Sequence, residues 1–434
     1  MIDSRAFTKI QIVFLISIII VAIGGSLAYV LLSEQAASET IKVGVLDDLG
    51  YPSGDDFWQG VVLAAEQLNA KGGILGKQVE IVGGDTDSVS SNWDPALIDS
   101  AITRLLTYDK VDFIIGVASN QGFMIQERIY EHKTIFIEIG SNEDAYTQRV
   151  LDEYDRYKYF FRASPNATSI FYGMTDGLSL VREQTGFNKI GFIVDEAWTK
   201  EIMDGLNAVL PELGFELVYE GKLPPETVDF TSYFAAAESA GTEILVPLIA
   251  WADIPFVKEY HERQSPMIVH GGYIPNVLAP EGWETTEGKC QYVSAGAWPT
   301  TAGYPLTEET LPFREAYIHR WNEIPGVGGS LGYDVLRYVL SDAVERAGTL
   351  EVEAVIEALE KTSIETSMAR NFVFTSSHDS MTGENPNDPE ADYYMILMFQ
   401  WVDGKQVPVY PKKIMEEAGA TYTYPDWPGP WDNP

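Results

Sequence analysis

Ile41-Lys42-Val43-Gly44-Val45-Leu46, then Phe57, Val61, Ala64, Ala65 and Leu68 at helical spacing, then Asn69-Ala70-Lys71-Gly72-Gly73-Ile74-Leu75-Gly76: this stretch decides the fold. The first run reads as a β-strand, and the recurring apolar positions as an amphipathic helix. The paired glycines readily take positive φ and end that helix. A strand, a helix and a sharp return form the opening of a parallel α/β unit.

The alternation continues outward. Val79 to Val82 reads as a second strand, and Asp94-Pro95 as the cap and first position of a helix carrying Leu97, Ala101, Ile102 and Leu105. Val111 to Ile115 and Thr134 to Glu138 are the third and fourth strands, with a short helix from about Phe123 to Tyr130 between them. These four strands and their helices make one lobe. The pattern then restarts with a helix at Thr168 to Gln184 and strands at Lys189 to Val194, Phe215 to Tyr219, Glu243 to Leu248 and Met267 to His270. Helices around Glu201 to Leu210 and from Asp229, as a cap, to Ser239 fill the intervals. Beyond Trp298, helices at Pro312 to Trp321, Tyr333 to Ala347 and Val352 to Lys361 precede strands at Tyr393 to Trp401 and Gln406 to Tyr410, with Asp403-Gly404 as the turn. A separate third domain of this make-up would have a thin core, so the segment is best placed as material returned to the first two lobes.

Upstream, Ile12 to Leu32 is an unbroken apolar stretch long enough to cross a bilayer. Arg5 and Lys9 precede it and Glu34 and Glu39 follow, which leaves the N-terminus in the cytoplasm and everything after Leu32 outside. A retained transmembrane anchor is the preferred reading over a cleaved signal peptide at Ala36-Ala37-Ser38, whose apolar region spans only ~7–15 residues. The expected organisation is a cytoplasmic N-terminus (1–11), the anchor or signal (12–32), a linker (33–40), one lobe from 41–162 with 298–370, a second from 163–297 with 371–411, and a C-terminal tail (412–434).

The chain has 64 Asp and Glu against 29 Lys and Arg, a net charge of −35. That field repels nucleic-acid phosphates and argues against a nucleic-acid partner. Cys290 is the sole cysteine, so neither an intrachain disulfide nor a lipid-modified cysteine after the apolar run is available. His132, His261, His270, His319 and His378 are scattered without the paired spacing of a zinc site, and there is no P-loop, nucleophile elbow or dinucleotide fingerprint. The expectation is therefore no enzyme, with no catalytic residues, no metal and no cofactor. The acidic run Asp379, Glu384, Asn387, Asp388, Glu390 and Asp392, broken by Pro386 and Pro389, reads as a solvated surface loop rather than a calcium site.

The opening block, with Gly60 inside its helix, resembles the branched-chain amino-acid-binding protein family, the type I periplasmic binding proteins that serve ABC importers. Asp94-Pro95, Ile114-Ile115-Gly116, Phe161-Arg162, Asp229-Phe230 and Tyr333-Asp334 extend the resemblance over nearly all of Ile41 to Pro411. It implies two Rossmann-like lobes with parallel sheets flanked by helices, joined by a three-crossover hinge near Arg162, Ala297 and Asn371, with a small-molecule ligand between them. It also implies an extracytoplasmic receptor that delivers a polar solute (an amino acid, amide, urea-like compound or small carboxylate) to ABC permease subunits. A membrane-tethered sensing ectodomain acting with a partner chain is the alternative.

Open parallel sheets bind ligands beyond the carboxyl ends of their strands. Two turns there, Ser119-Asn120-Gln121 and Gly140-Ser141-Asn142, offer hydroxyls, amides and backbone N–H groups, although Ser and Asn also cap helices as a matter of routine. In relatives these turns hold the ligand's carboxylate. From the second lobe, Trp251 and Trp198 align with aromatic contact positions of the family; Tyr51 and Tyr273 complete the candidate set. Where amino-acid-binding members carry a glutamate for the ligand's ammonium, this chain has His270-Gly271-Gly272-Tyr273. Asp253, Glu138 and Asp47 are the alternative carboxylates for that role, which leaves amino-acid specificity open.

Overall fold

A computed structural model of the chain describes residues 40–432, apart from 90–92, 197–198, 225–226 and 389. The expected anchor at 12–32, nearly all of the linker, and Trp198 lie outside the described residues. Among the described residues no helix is long and apolar enough to cross a membrane.

β1 (Ile41–Asp47) and α1 (Pro52–Ala70) form where the opening block predicts them. α1 stops because Gly72 and Gly73 follow at φ +106° and +81°. A Cβ on Gly73 would lie 1.8 Å from the Lys77 carbonyl oxygen, so the reversal requires glycine. Asn69 then fastens the helix end to the next strand: its amide donates to the Val79 carbonyl at 2.9 Å, and its oxygen accepts from the Val79 N–H at 2.7 Å.

β2 (Val79–Asp85), α2 (Pro95–Arg104), β3 (Phe113–Gly116), α3 (Gly122–His132), β4 (Ile135–Glu138), α4 (Asp144–Asp152) and β5 (Phe160–Arg162) complete a parallel sheet of order β2-β1-β3-β4-β5. The sequence predicts four strands here. Phe160-Phe161-Arg162, read only as a crossover, is the fifth; three residues are too few to display a period.

α5 (Ala167–Thr185), β6 (Lys189–Asp195), α6 (Lys200–Val209), β7 (Glu216–Leu223), α7 (Thr231–Ser239), β8 (Ile244–Leu248), α8 (Asp253–Arg263) and β9 (Ile268–Val269) build a second parallel sheet, β7-β6-β8-β9. Ile193, Leu245 and Val269 enter the core on one face, and Ile190, Phe192, Val194, Val246 and Ile268 the core on the other. A sheet buried on both faces gives strands that read as unbroken apolar runs.

The remaining chain serves both sheets. β10 (Ser294–Gly296) is the first strand of a small antiparallel sheet and the one member of it that the sequence does not predict, because its Ser-Ala-Gly is too short and too small to read as a strand. α9 (Thr310–Trp321) and a long helix, made of α10 (Val327–Asp334), a π-helical stretch Val335–Leu340 and α11 (Ser341–Ala347), return to the core of the first sheet together with α12 (Val352–Glu360). The long helix begins six residues before its expected start at Tyr333, its first turns hidden by Gly328, Gly329 and Gly332. Those glycines let it touch α1: a Cβ on Gly60 would fall 2.0 Å from the Gly329 carbonyl oxygen. Asp56 of α1 accepts from the N–H groups of Gly326 at 2.9 Å and Gly329 at 2.7 Å, capping α10 from a neighbouring helix.

β11 (Ser363–Ile364) and β12 (Phe372–Val373) pair antiparallel, and β13 (Met398–Val402) joins β10 and β14 (Lys405–Tyr410). The β13–β14 turn is Asp403-Gly404, both at positive φ, as that dipeptide predicts. Residues 412–432, expected as a tail, pack into the second core: α13 (Lys412–Glu417) buries Ile414, and Trp427 donates to the Ser265 carbonyl at 2.9 Å between Tyr260 and Tyr292.

Arg162, fully buried at the end of β5, ties the crossovers. It donates to Asp379 at 2.7 Å, to the Thr147 hydroxyl at 2.9 Å and to the Glu143 carbonyl at 2.7 Å. Its N–H bonds the His378 carbonyl and its carbonyl the Ser380 N–H, each at 2.8 Å. The segment from Asp379 to Asp392 is therefore not simply a solvated loop. Asp379 and Asp392 are buried, Asp392 accepting from Lys413 and from the Asn385 N–H. Prolines mark an irregular path but not its burial, and the cations that neutralise these acids come from elsewhere in the chain.

Candidate functional site

Strand order reverses at β1/β3 in the first sheet and at β6/β8 in the second, and crevices open at such switch points. Tyr51 follows β1 as the N-cap of α1, and Ser119–Gln121 follows β3 as a single 3₁₀ turn before α3. Trp251 follows β8. Gly140-Ser141-Asn142 and Tyr273 each lie one strand further out, after β4 and β9.

The two first-sheet turns are brought together by Glu138, the last residue of β4. It is wholly buried, and its carboxylate accepts from the N–H groups of Ala118, Gly140 and Ser141, each at 2.5 Å. Burial pushes its carboxyl up to about 7, against the pull of those donors and of Arg162. Asn120 and Asn142 are exposed, Gln121 is half-buried, and the Gln121 amide donates to the Asn120 side-chain oxygen at 3.0 Å. The Ser141 hydroxyl is buried and has no hydrogen-bond partner among the described residues. The Asn142 carbonyl accepts from the Ala167 N–H at 2.8 Å, so this turn also touches the start of α5.

In the second sheet, Tyr273 is laid against the end of β8: its N–H donates to the Pro247 carbonyl and its carbonyl accepts from the Ile249 N–H, both at 2.8 Å. This approach needs Gly272, where a Cβ would lie 1.9 Å from the Pro247 oxygen. Trp251 and Tyr273 thus stand on adjacent strand ends, 70% and 49% exposed. Asp195, ending β6, accepts from the Ala250 N–H at 2.7 Å and so spans the switch point beneath Trp251.

The carboxylates weighed as ammonium partners are largely committed elsewhere. Asp253 is fully buried and accepts from the N–H groups of Asn276 at 2.7 Å, Val277 at 3.1 Å and Ile254 at 3.0 Å, joining α8 to the short helix Pro275–Leu278. Glu138 braces the turns just described. Asp47, raised to about 6 chiefly by burial, accepts from the Asp48 N–H at 2.8 Å. His270, in the place of the family's glutamate, is buried against Ser294 at 2.8 Å, and burial lowers it to about 4, so it is neutral. The bracing roles of Glu138 and Asp195 are what sequence reasoning missed. The available signal was an acid closing an otherwise apolar strand, as in Ile135-Phe136-Ile137-Glu138.

A family model described as periplasmic binding protein matches residues 40–384. Leu/Ile/Val-binding protein homolog 7 of Brucella suis is 26% identical over 413 residues, covering 89% of this chain and 95% of the relative. Among solved structures, a protein described as a branched-chain amino acid ABC transporter from Silicibacter pomeroyi is 18% identical and superposes with a TM-score of 0.76 over 90% of this chain and 100% of its own. LivJ of Streptococcus pneumoniae, a branched-chain amino acid transporter substrate-binding protein in complex with isoleucine, is 18% identical with a TM-score of 0.67, covering 86% of this chain and 100% of its own.

Proposed function

This chain belongs to the periplasmic binding protein family and has its type I α/β fold, and on that premise we propose that it captures a small polar solute outside the cytoplasm and hands it to the permease subunits of an ABC importer. The observation that carries this reading is the pairing of two parallel sheets, each with a switch point whose strand ends bear candidate contact residues: small polar ones in the first, exposed aromatic ones in the second. The first set is Ser119, Asn120 and Gln121 with Gly140, Ser141 and Asn142. The second is Trp251 and Tyr273, with Trp198 after β6, and Tyr51 joins from the first sheet.

The lobe division belongs to the same proposal: 41–162 with 298–370, and 163–297 with 371–411. The buried cores follow this division for most of the chain, except that Phe372, Phe374 and Tyr394 pack in the first core and Leu306 in the second. Tethering by residues 12–32 is the proposed route to the membrane.

The test is thermal-shift screening of the chain from Thr40 onward against amino acids, amides, urea and short carboxylates. A solute bound only by the folded state stabilises it by RT ln(1 + [L]/Kd), or roughly 2.7 kcal/mol at ~100 Kd. No shift with any solute class would count against the receptor reading.

A further inference from the structure

At the carboxyl ends of both sheets, many of the backbone donors that would greet an anion are taken by the chain's own acids. Glu138 holds the N–H groups of Ala118, Gly140 and Ser141 at 2.5 Å each. Asp48 takes that of Val89 at 2.6 Å, and Asp55 that of Gly50 at 2.9 Å. In the second sheet Asp195 takes the Ala250 N–H, and Asp253 those of Ile254, Asn276 and Val277. Each acid does what a carboxylate ligand does at such an edge.

An incoming carboxylate therefore meets amides already satisfied, in surroundings where its charge is poorly screened. Hydrogen-bonding capacity of another kind remains. The Ser141 hydroxyl is buried without a partner among the described residues, and Asn120 and Asn142 are exposed on the two turns. A carbonyl oxygen needs only one or two such donors, and N–H groups on the same molecule suit an acid-lined edge.

Building on the receptor reading above, we propose that the cleft selects an uncharged solute bearing a carbonyl and N–H donors, an amide rather than the carboxylate of the same shape, and that Glu138 is the specificity-determining residue. By filling the donors of both first-sheet turns from beneath, it removes the place a ligand carboxylate would take.

The experiment is isothermal titration of the full chain with matched pairs: acetamide and acetate, isobutyramide and isobutyrate, benzamide and benzoate. In at least one pair the amide should bind and its carboxylate bind at least tenfold more weakly. Glu138→Ser, which frees three N–H groups, should tighten the carboxylate about tenfold or more. Glu138→Gln, nearly isosteric, should shift the ratio in the same direction and serves if the serine variant does not fold. A carboxylate that binds wild type as tightly as its amide overturns the inference and leaves the receptor reading standing. A preference unchanged by the substitutions removes Glu138 as its source. Binding by no member of any pair overturns the inference, and the wider thermal-shift screen then decides the receptor reading separately.

Discussion

The turns after β3 and β4 carry Asn120, Ser141 and Asn142, whereas those after β8 and β9 carry Trp251 and Tyr273. Beneath both edges the backbone is held in the same manner, by a strand-end acid that accepts an N–H from the turn after the neighbouring strand: Glu138 from Ala118 after β3 in the first sheet, Asp195 from Ala250 after β8 in the second. Holding the backbone is thus separate from what each edge presents to solvent. Acids fix the backbone at both edges, and the outward side chains differ in kind. Small polar groups orient a guest through a few directed bonds, while a broad aromatic face excludes water and contributes area.

The comparison depends first on the joint that carries the chain between the two sheets. Arg162→Met leaves Asp379 buried without its cation and should cost about 3–5 kcal/mol. Urea unfolding monitored by tryptophan fluorescence measures it; a loss below about 1 kcal/mol would mean that the pair does not hold the crossover.

Next in size is the titration of the first edge's brace. Burial raises Glu138 from 4.5 to about 7. Between those values the folded chain keeps a proton that the unfolded chain has released, so the stability this group contributes is full below about 4.5 and falls as pH rises to about 7. The shift corresponds to at most about 3 kcal/mol. Unfolding of wild type and Glu138→Gln from pH 4.5 to 8 should show the wild type losing ground to the variant up to about pH 7, then parallel curves. Curves parallel throughout would mean that Glu138 does not titrate in this window.

The legible and illegible parts of the molecule divide along the same lines. Parallel strands buried on both faces announce themselves as apolar runs, so β1, β3, β4, β6 and β8 fall within a few residues of their expected bounds. Asp94 caps α2 through the Ala96 N–H at 2.9 Å, a local contact that a local pattern can encode. β5 and the first turns of α10 escaped because three residues show no period and a glycine run reads as loop. The acids were harder still. Glu138, Asp253 and Asp379 read the same in sequence whether they face a guest, cap a helix or meet a buried arginine, because the partner that decides is distant in the chain or is a backbone N–H. Candidate turns could be located from the sequence, but not whether their donors were already taken.

Glycine substitutions separate the two halves by a smaller amount. Gly60→Ala drives a Cβ to 2.0 Å from the Gly329 oxygen, so α1 and α10 must part, at about 1–3 kcal/mol. Gly205→Ala, within α6 of the second half, meets only the Phe171 ring at 3.4 Å and should stabilise by roughly 0.5–1 kcal/mol through helix propensity. Thermal unfolding of the pair should give opposite signs; equal signs would remove the close α1–α10 approach.

Trp251→Ala probes the aromatic edge alone. The side chain is 70% exposed, so truncation removes little from the core, and stability should stay within about 0.5 kcal/mol of wild type. Affinity for whichever solute the thermal-shift screen identifies should fall by about tenfold or more, roughly 1.4 kcal/mol, because an indole that stacks on a guest loses its area only in the bound state. Asp195, which fixes the backbone below it, is untouched, so the change reports contact and not placement. An unchanged Kd would take Trp251 out of the site and leave the second edge to Tyr273 and Trp198. A loss of stability equal to the loss of affinity would instead mean that the indole packs against its own lobe.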